Sequence, residues 1–403
     1  MTSNDTANDK NPNSVVEREV ALTLAEWSKE QSVYWSDARN AWIVTNFAEA
    51  AEILKDSNTF WRNVSDREGS SEFWGRHLMN LEGRDHQRMH AVHMHFTGEP
   101  FAERIRDRVS QICRDLCDGL VRKGHVELSA EYANYAVLLI GLDFLGFDIS
   151  DRSLVDRVDA QMSIRAKWKE ALLSGDGISL DSKIAQDGKA ALQVIRGMLL
   201  PIIRGRREHP QDDLISLMWQ KGVDVFPDWN EHDIMNAGWS CLDNEGKPLQ
   251  RGLLYILCRN QELQAKLRQN PSLVPSFVQE GLRFLSPLRV MQRVARKDVE
   301  IGGQQMRKGD AVSLVTPLAN RDEERWACPY SFDPDRPSSM INLAFGYGPG
   351  YCVGRYVGRM EAEEAIKAIL ARTSKFTLDP AGAEPQWAGD FAHSVSPIHA
   401  ILE

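Results

Sequence analysis

Phe345-Gly346-Tyr347-Gly348-Pro349-Gly350-Tyr351-Cys352-Val353-Gly354 runs as a glycine-dense loop that ends in one cysteine. The segment after it, Arg355 to Ala371, carries Val357, Met360, Ile366, Ile369 and Leu370 at helical spacing. Cys352 is therefore expected at or just before a helix N-terminus. Backbone N–H groups point outward there and favour negative charge, which stabilises a thiolate. Gly346, Gly348, Gly350 and Gly354 let the backbone fold tightly and approach a flat ligand. Taken alone, the loop also reads as a glycine-rich turn around a buried structural cysteine.

The surrounding chain narrows the choice. Its 403 residues are 42% hydrophobic and 26% charged, enough for a large core. No Gly/Ser- or Pro-rich linker, repeat or long low-complexity run divides it. No run approaches the roughly 18 apolar residues of a membrane span. Residues 1–14 are polar, rich in Asn and Asp, and read as a disordered tail without the apolar core of a signal peptide. The expectation is a cytoplasmic chain with no membrane anchor. A net charge of −9 argues against a nucleic-acid partner. Of the six cysteines, Cys113 and Cys117 stand four apart on an apparent helix and read as packing residues.

A thiolate in a glycine cradle is what haem iron needs as a proximal ligand. The decapeptide resembles the haem-binding loop of cytochromes P450, F-G-x-G-x-H-x-C-x-G. Phe345, Gly346, Gly348, Cys352 and Gly354 match it. Gly350 departs, because the family carries His or Arg there, reaching a haem propionate. Asp85-His86-Gln87-Arg88-Met89-His90 is similar to the family's H-x-x-x-R, a second propionate motif, with His90 in place of Arg. A histidine pair at this spacing could instead hold a metal, with His93 and His95 nearby. Both departures imply weakened propionate anchoring. Glu280-Gly281-Leu282-Arg283 supplies E-x-x-R, both charges on one helix face. In the family this structural pair locks to an arginine of a downstream meander, here Arg336 in Phe332 to Pro337. Arg293 matches a further propionate arginine.

Other segments follow the same pattern. Val33-Tyr34-Trp35 and Ala41 to Thr45 flank a polar turn and read as a hairpin, followed by a helix from Phe47 to Lys55. Val299 to Gly303 and Ala311 to Val315 read as paired strands, and Phe101 to Arg204 as mostly helical, broken at Ser174 to Ser179. Asp233 to Arg268 reads as the long distal helix. Counting back from its end at Arg259-Asn260-Gln261-Glu262 puts Glu245 where the family has its threonine and Asn244 where it has an acid. Pro248, lacking an N–H, would kink that helix. By itself, Asp243 to Pro248 also reads as a surface turn.

The resemblance covers about residues 30 to 403. It implies one domain over 15–403, mainly α with small β-sheets, in the cytochrome P450 fold. The implied cofactor is haem b with Cys352 as the axial thiolate. The implied pocket residues are Trp74, Arg165, Trp168, Cys241, Leu288, Arg289, Met291, Phe391 and His393, with Glu245 and Asn244 catalytic. For Trp74, a loop pinned by aromatics is an equal reading, and for the basic stretch around Arg165 a solvated helix face is another. The activity implied is O2-dependent oxidation by a monomer fed by ferredoxin and its reductase or by a fused reductase. Arg104, Arg108, Arg355 and Arg359 are candidates for a docking patch, or are scattered surface charges. Three readings of the reaction stay open. They are coupling of aromatic rings in a short peptide or related small intermediate, hydroxylation or aryl-ether O-demethylation, and a catalytically weak or peroxide-using haem protein.

Overall fold

The computed structural model describes residues 13–62, 73–173, 178–242, 246–337 and 341–403. In chain order the helices are α1 (Ser14–Leu22), α2 (Phe47–Lys55), α3 (Gly83–Thr97), α4 (Glu99–Lys123), α5 (Tyr135–Phe144), α6 (Arg152–Leu173), α7 (Lys183–Glu208), α8 (Leu214–Val225) and α9 (Glu231–Leu242). They continue as α10 (Gly246–Arg259), α11 (Gln261–Gln269), α12 (Val274–Leu285), the single turn α13 (Thr316–Ala319) and α14 (Arg355–Arg372). The strands are β1 (Val33–Ser36), β2 (Ala41–Val44), β3 (Phe60–Trp61), β4 (His125–Glu127), β5 (Val290–Ala295), β6 (Val299–Ile301), β7 (Gln304–Met306), β8 (Ala311–Val315), β9 (Phe376–Leu378), β10 (Gln386–Ala388), β11 (Ser394–Ser396) and β12 (His399–Leu402). The chain is thus mainly helical with small sheets, as expected. Among the described residues no helix is long and apolar enough to cross a membrane.

The largest sheet runs β1-β2-β8-β5-β3. The expected hairpin forms its edge, with Val33 opposite Val44 and Ser36 opposite Ala41. The parallel pairing of β2 with β8 and the antiparallel pairing of β8 with β5 then bring residues 290–295 into the same sheet. The expected pairing of Val299 to Gly303 with Ala311 to Val315 does not occur. β6 folds back on β7 across Gly302 and Gly303, both at positive φ, while β8 is taken up by β2 and β5. A two-glycine turn makes the local hairpin the shorter connection.

The long helix expected over 233–268 stops at Arg259. The Asn260 side chain accepts from the Leu263 N–H at 2.8 Å and starts α11 as a separate helix. Pro248 lies in α10, and the Asn244 carbonyl, on which the expected kink turns, is outside the described residues. Asn244 and Glu245 lie outside the described residues. So do residues 174–177 of the expected helix break, which falls between α6 and α7. Asn13 and Ser14 do not belong to a tail: Asn13 is buried and accepts from Asn260, and Ser14 opens α1. Residues 1–12 lie outside the described residues.

Cys113 and Cys117 are core residues of α4, buried against α14. Arg106 ties the two helices together by donating to Glu363 and Glu364 at 3.1 and 2.8 Å.

Glu280 and Arg283 form the best-satisfied ion pair of the interior. Arg283 donates through Nε and Nη2 to the two oxygens of Glu280 at 2.8 and 2.7 Å. Its remaining N–H groups reach the carbonyls of Asn320, Pro329 and Ser331 at 2.8–3.0 Å. Glu280 also accepts from the Asp333 N–H at 3.0 Å and faces Arg336 at 3.4 Å. The meander is thus bolted to α12 as the resemblance implies. Removing one partner strands a buried charge and costs roughly 3–5 kcal/mol. Glu280→Ala is expected to give little soluble, cofactor-loaded protein, checked by expression yield and absorbance ratio. A fully loaded variant with an unchanged melting temperature would contradict this role.

Candidate functional site

The glycine loop is held from both sides. Asn320, just after α13, accepts from the Leu343 N–H at 2.7 Å, and Leu343 accepts from the Gly346 N–H at 2.9 Å. The Cys352 N–H then donates to the Phe345 carbonyl at 2.9 Å, closing the loop on itself. Gly346 and Gly348 have φ of +77° and +68°. At Gly348 a Cβ would also lie 2.9 Å from the Leu54 carbonyl, so α2 packs on the bare backbone. Gly354 shows no such crowding: a Cβ there would sit 3.8 Å from the Cys352 sulfur.

Cys352 precedes the first turn of α14, as the spacing predicts. Burial pushes its thiol up, opposed by the N–H groups of Gly354 and Arg355 and by the charges of Arg355 and Arg62. Arg355 donates to the Cys352 carbonyl at 2.9 Å and lies over the rings of Tyr351 and Tyr356. Cys352, Arg62, Arg293 and Cys241 lie deep in the protein yet keep accessible surface, which places them on the walls of internal space.

A cleft of about 260 Å³ lies beside the loop, lined by Arg62, His86, Arg293, Pro349 and Gly350 among others. His86 and His90 stand one turn apart on α3 with ring centroids 6.1 Å apart. Burial, then the charge of Arg62, lowers His86 to about 4. His90 reaches the Tyr351 carbonyl at 3.3 Å and so touches the loop directly. Arg293 donates to the Gln292 carbonyl at 2.7 Å, and burial brings it down to about 9. Basic groups on one cleft wall suit an acidic ligand edge. The residues present therefore fit a haem, whose iron a thiolate can ligate and whose carboxylates need cations. A wider hollow flanks α2 and Tyr347, but no predicted site residue lines it.

The predicted pocket residues fall into two groups. Trp74 stacks on His77 at 5.2 Å, and Phe73 meets Trp74 and Trp168 edge-on at 4.7 and 4.9 Å. Arg165 lies 4.0 Å above the Phe73 ring and is fully buried, so it is not on a solvated helix face. This cluster packs into the main core. Around β5, the Met291 sulfur lies 3.8 Å from where a Cβ on Gly346 would sit, and Leu288 bridges to Ala392. His393 stacks on Trp387, and the Phe391 N–H donates to Glu170 of α6. Arg289 points elsewhere than the resemblance implies: its guanidinium donates to the Thr23 carbonyl and pairs with Glu26 near the N-terminus.

The four arginines expected in a docking patch are not one set of available charges. Arg108 pairs with Asp143 at 2.5 Å, Arg104 faces Asp212 at 3.8 Å, and Arg355 is turned onto the loop. Sequence reasoning missed Arg62, which no nearby motif marks.

The comparisons with known proteins agree with this geometry. The cytochrome P450 family model matches residues 247–390. The chain is 27% identical over 362 residues to luteothin monooxygenase of Streptomyces thioluteus, covering 87% of this chain and 84% of that one. It is 26% identical over 358 residues to 6-deoxyerythronolide B hydroxylase of Saccharopolyspora erythraea, covering 84% of each. Cytochrome P450 260B1 of Sorangium cellulosum shares the fold with a TM-score of 0.83, 23% identity and 96% of each chain covered. HmtT, involved in himastatin biosynthesis, shares it with a TM-score of 0.82, 23% identity and 94% and 96% coverage. Residues 247–390 thus match the cytochrome P450 family, and the relatives named as monooxygenase and hydroxylase support an oxidoreductase. The family implies haem with cysteine thiolate ligation.

Two histidines behind the cleft make the fold sensitive to acid. Burial lowers His77 to about 3 and His93 to about 4, so both are neutral in the folded chain. An unfolded chain protonates them near 6.5. Between those values the unfolded state binds more protons, so stability falls as pH falls. For His93 the loss from pH 7 to pH 5 is about 2 kcal/mol. His93→Leu should flatten the fall of melting temperature over that range, and an unchanged slope would count against it.

Proposed function

We propose that the chain is a bacterial-type haem-thiolate monooxygenase acting on a small aromatic intermediate of secondary metabolism. The observation that carries the chemistry is Cys352, set at the N-terminus of α14 with two N–H groups on its sulfur and buried cations at the neighbouring cleft. Haem b, when bound, would supply the oxidising power from O2 and electrons delivered by a ferredoxin-type or fused reductase. Cys352 would hold the iron from the proximal side as a thiolate, its charge shared with the Gly354 and Arg355 N–H groups. His86 and Arg293 would hold the carboxylate edge, and His90 would steady the loop through Tyr351.

Oxygen insertion is favoured by relatives whose names are hydroxylase and monooxygenase. Coupling of aromatic rings is the second reading, favoured by Glu245 standing where the family has its threonine, because coupling inserts no oxygen and tolerates an altered proton relay. In either case Glu245 is proposed to lie on the oxygen side. A carboxyl group in a mostly apolar pocket stays protonated and can give up that proton. We further propose a cytoplasmic monomer, with 15–403 as one domain.

Product mass separates the readings. Gain of one oxygen supports insertion, loss of two hydrogens supports coupling, and loss of CH2 supports demethylation. In the same assays Glu245→Gln is expected to keep substrate affinity and release more hydrogen peroxide per substrate turned over. Unchanged products, affinity and peroxide in that variant would remove Glu245 from the site.

A further inference from the structure

We propose that Arg62 supplies the cation that Gly350 lacks, holding a haem carboxylate from the sheet side of the cleft. The proposal rests on the family's haem and not on the reaction assigned above.

Three observations converge on it. The first is backbone register. Trp61 of β3 pairs with Val294 of β5, so the next residue, Arg62, comes level with Arg293. Two guanidinium groups from paired strands then line one cleft with His86. The second is the hold on the side chain. Arg62 donates through Nη1 to the Leu78 carbonyl at 2.8 Å, and its Nη2 lies on the Gly350 side. The third is space. A Cβ built on Gly350 would lie 2.5 Å from Nη2 of Arg62. A side chain at 350 and the Arg62 head therefore compete for one place. The missing side chain and the arginine are two halves of one arrangement.

The charges support the same conclusion. The charge of Arg62 disfavours the charged forms of Arg293 and His86. Two guanidinium groups lining one cleft suit a ligand with two carboxylates. On this proposal Arg62 offsets the departure at Gly350.

The test follows haem leaving the intact holoprotein for excess apomyoglobin, read by absorbance. A charge-assisted hydrogen bond contributes about 1.5–3 kcal/mol, so Arg62→Gln should speed the transfer about ten- to a hundredfold. Arg62→Lys keeps the charge and should stay within about threefold of wild type. Gln and Lys variants with the same rate would overturn the proposal, because packing or the Leu78 contact would then be the whole role. The swap supplies a second, independent reading. Gly350→His in the wild-type background should crowd Arg62 and load haem poorly. Arg62→Ala with Gly350→His should hold haem at least tenfold longer than Arg62→Ala alone. A swap no better than Arg62→Ala would show that the two positions do not share one place, and would also overturn it. In every variant a preserved thiolate-type spectrum of the retained haem separates failure of this proposal from failure of the haem assignment.

Discussion

The buried contact between Arg283 and Glu280 is the constraint on which the site depends. It does not touch the cleft. It fixes the carbonyls of Asn320, Pro329 and Ser331 to α12, and Asn320 in turn fixes Leu343. From Leu343 the hydrogen bonds run to Gly346 and on through Phe345 to Cys352. A buried ion pair is weak evidence for stability, since burying both charges is costly. Its better-supported value here is geometric. Five donors in a rigid fork lock three loop carbonyls and one carboxylate into one arrangement, and the cysteine loop inherits that precision.

A second constraint is a set of basic side chains beside the cysteine loop, in which Arg62 and Arg293 carry the guanidinium groups and burial holds His86 and His90 toward the neutral form. Arg62, Arg293, His86 and His90 approach the cysteine loop from two unrelated directions, the sheet edge and α3. Nothing in the hydrophobic effect asks for such a grouping. A haem bearing carboxylates would suit it, with Cys352 as the thiolate for the iron. The fold therefore carries two half-sites, a soft anionic ligand and a hard cationic rim, matched to the two ends of one cofactor.

Much of this was legible in the sequence where a local rule sufficed. Cys352 before a helix, the hairpin at Val33 to Val44, the Phe47 to Lys55 helix and the Glu280–Arg283 pair each rest on short-range spacing, and each stands in the structure. What escaped depends on long-range packing. Arg62 has no motif of its own, and its importance appears only when β3 pairs with β5. The pairing of β8 was misread because strand propensity does not name a partner, whereas the glycines at 302 and 303 do name one for β6. The long helix failed at Asn260, a capping residue whose signal was overridden by the apolar period on either side. Arg289 was assigned to the pocket as part of the run Leu288 to Gln292, but it lies just before β5 and its guanidinium turns to Thr23 and Glu26.

The central claim is that Cys352 is the thiolate on the iron. The most direct measurement is the absorption spectrum of the reduced protein under carbon monoxide, taken for the wild type and for Cys352→Ala. The account predicts the strongly red-shifted Soret band of thiolate-ligated haem in the wild type and its loss in the variant. A histidine-type band in the wild type, or a thiolate-type band that survives in Cys352→Ala, would contradict it.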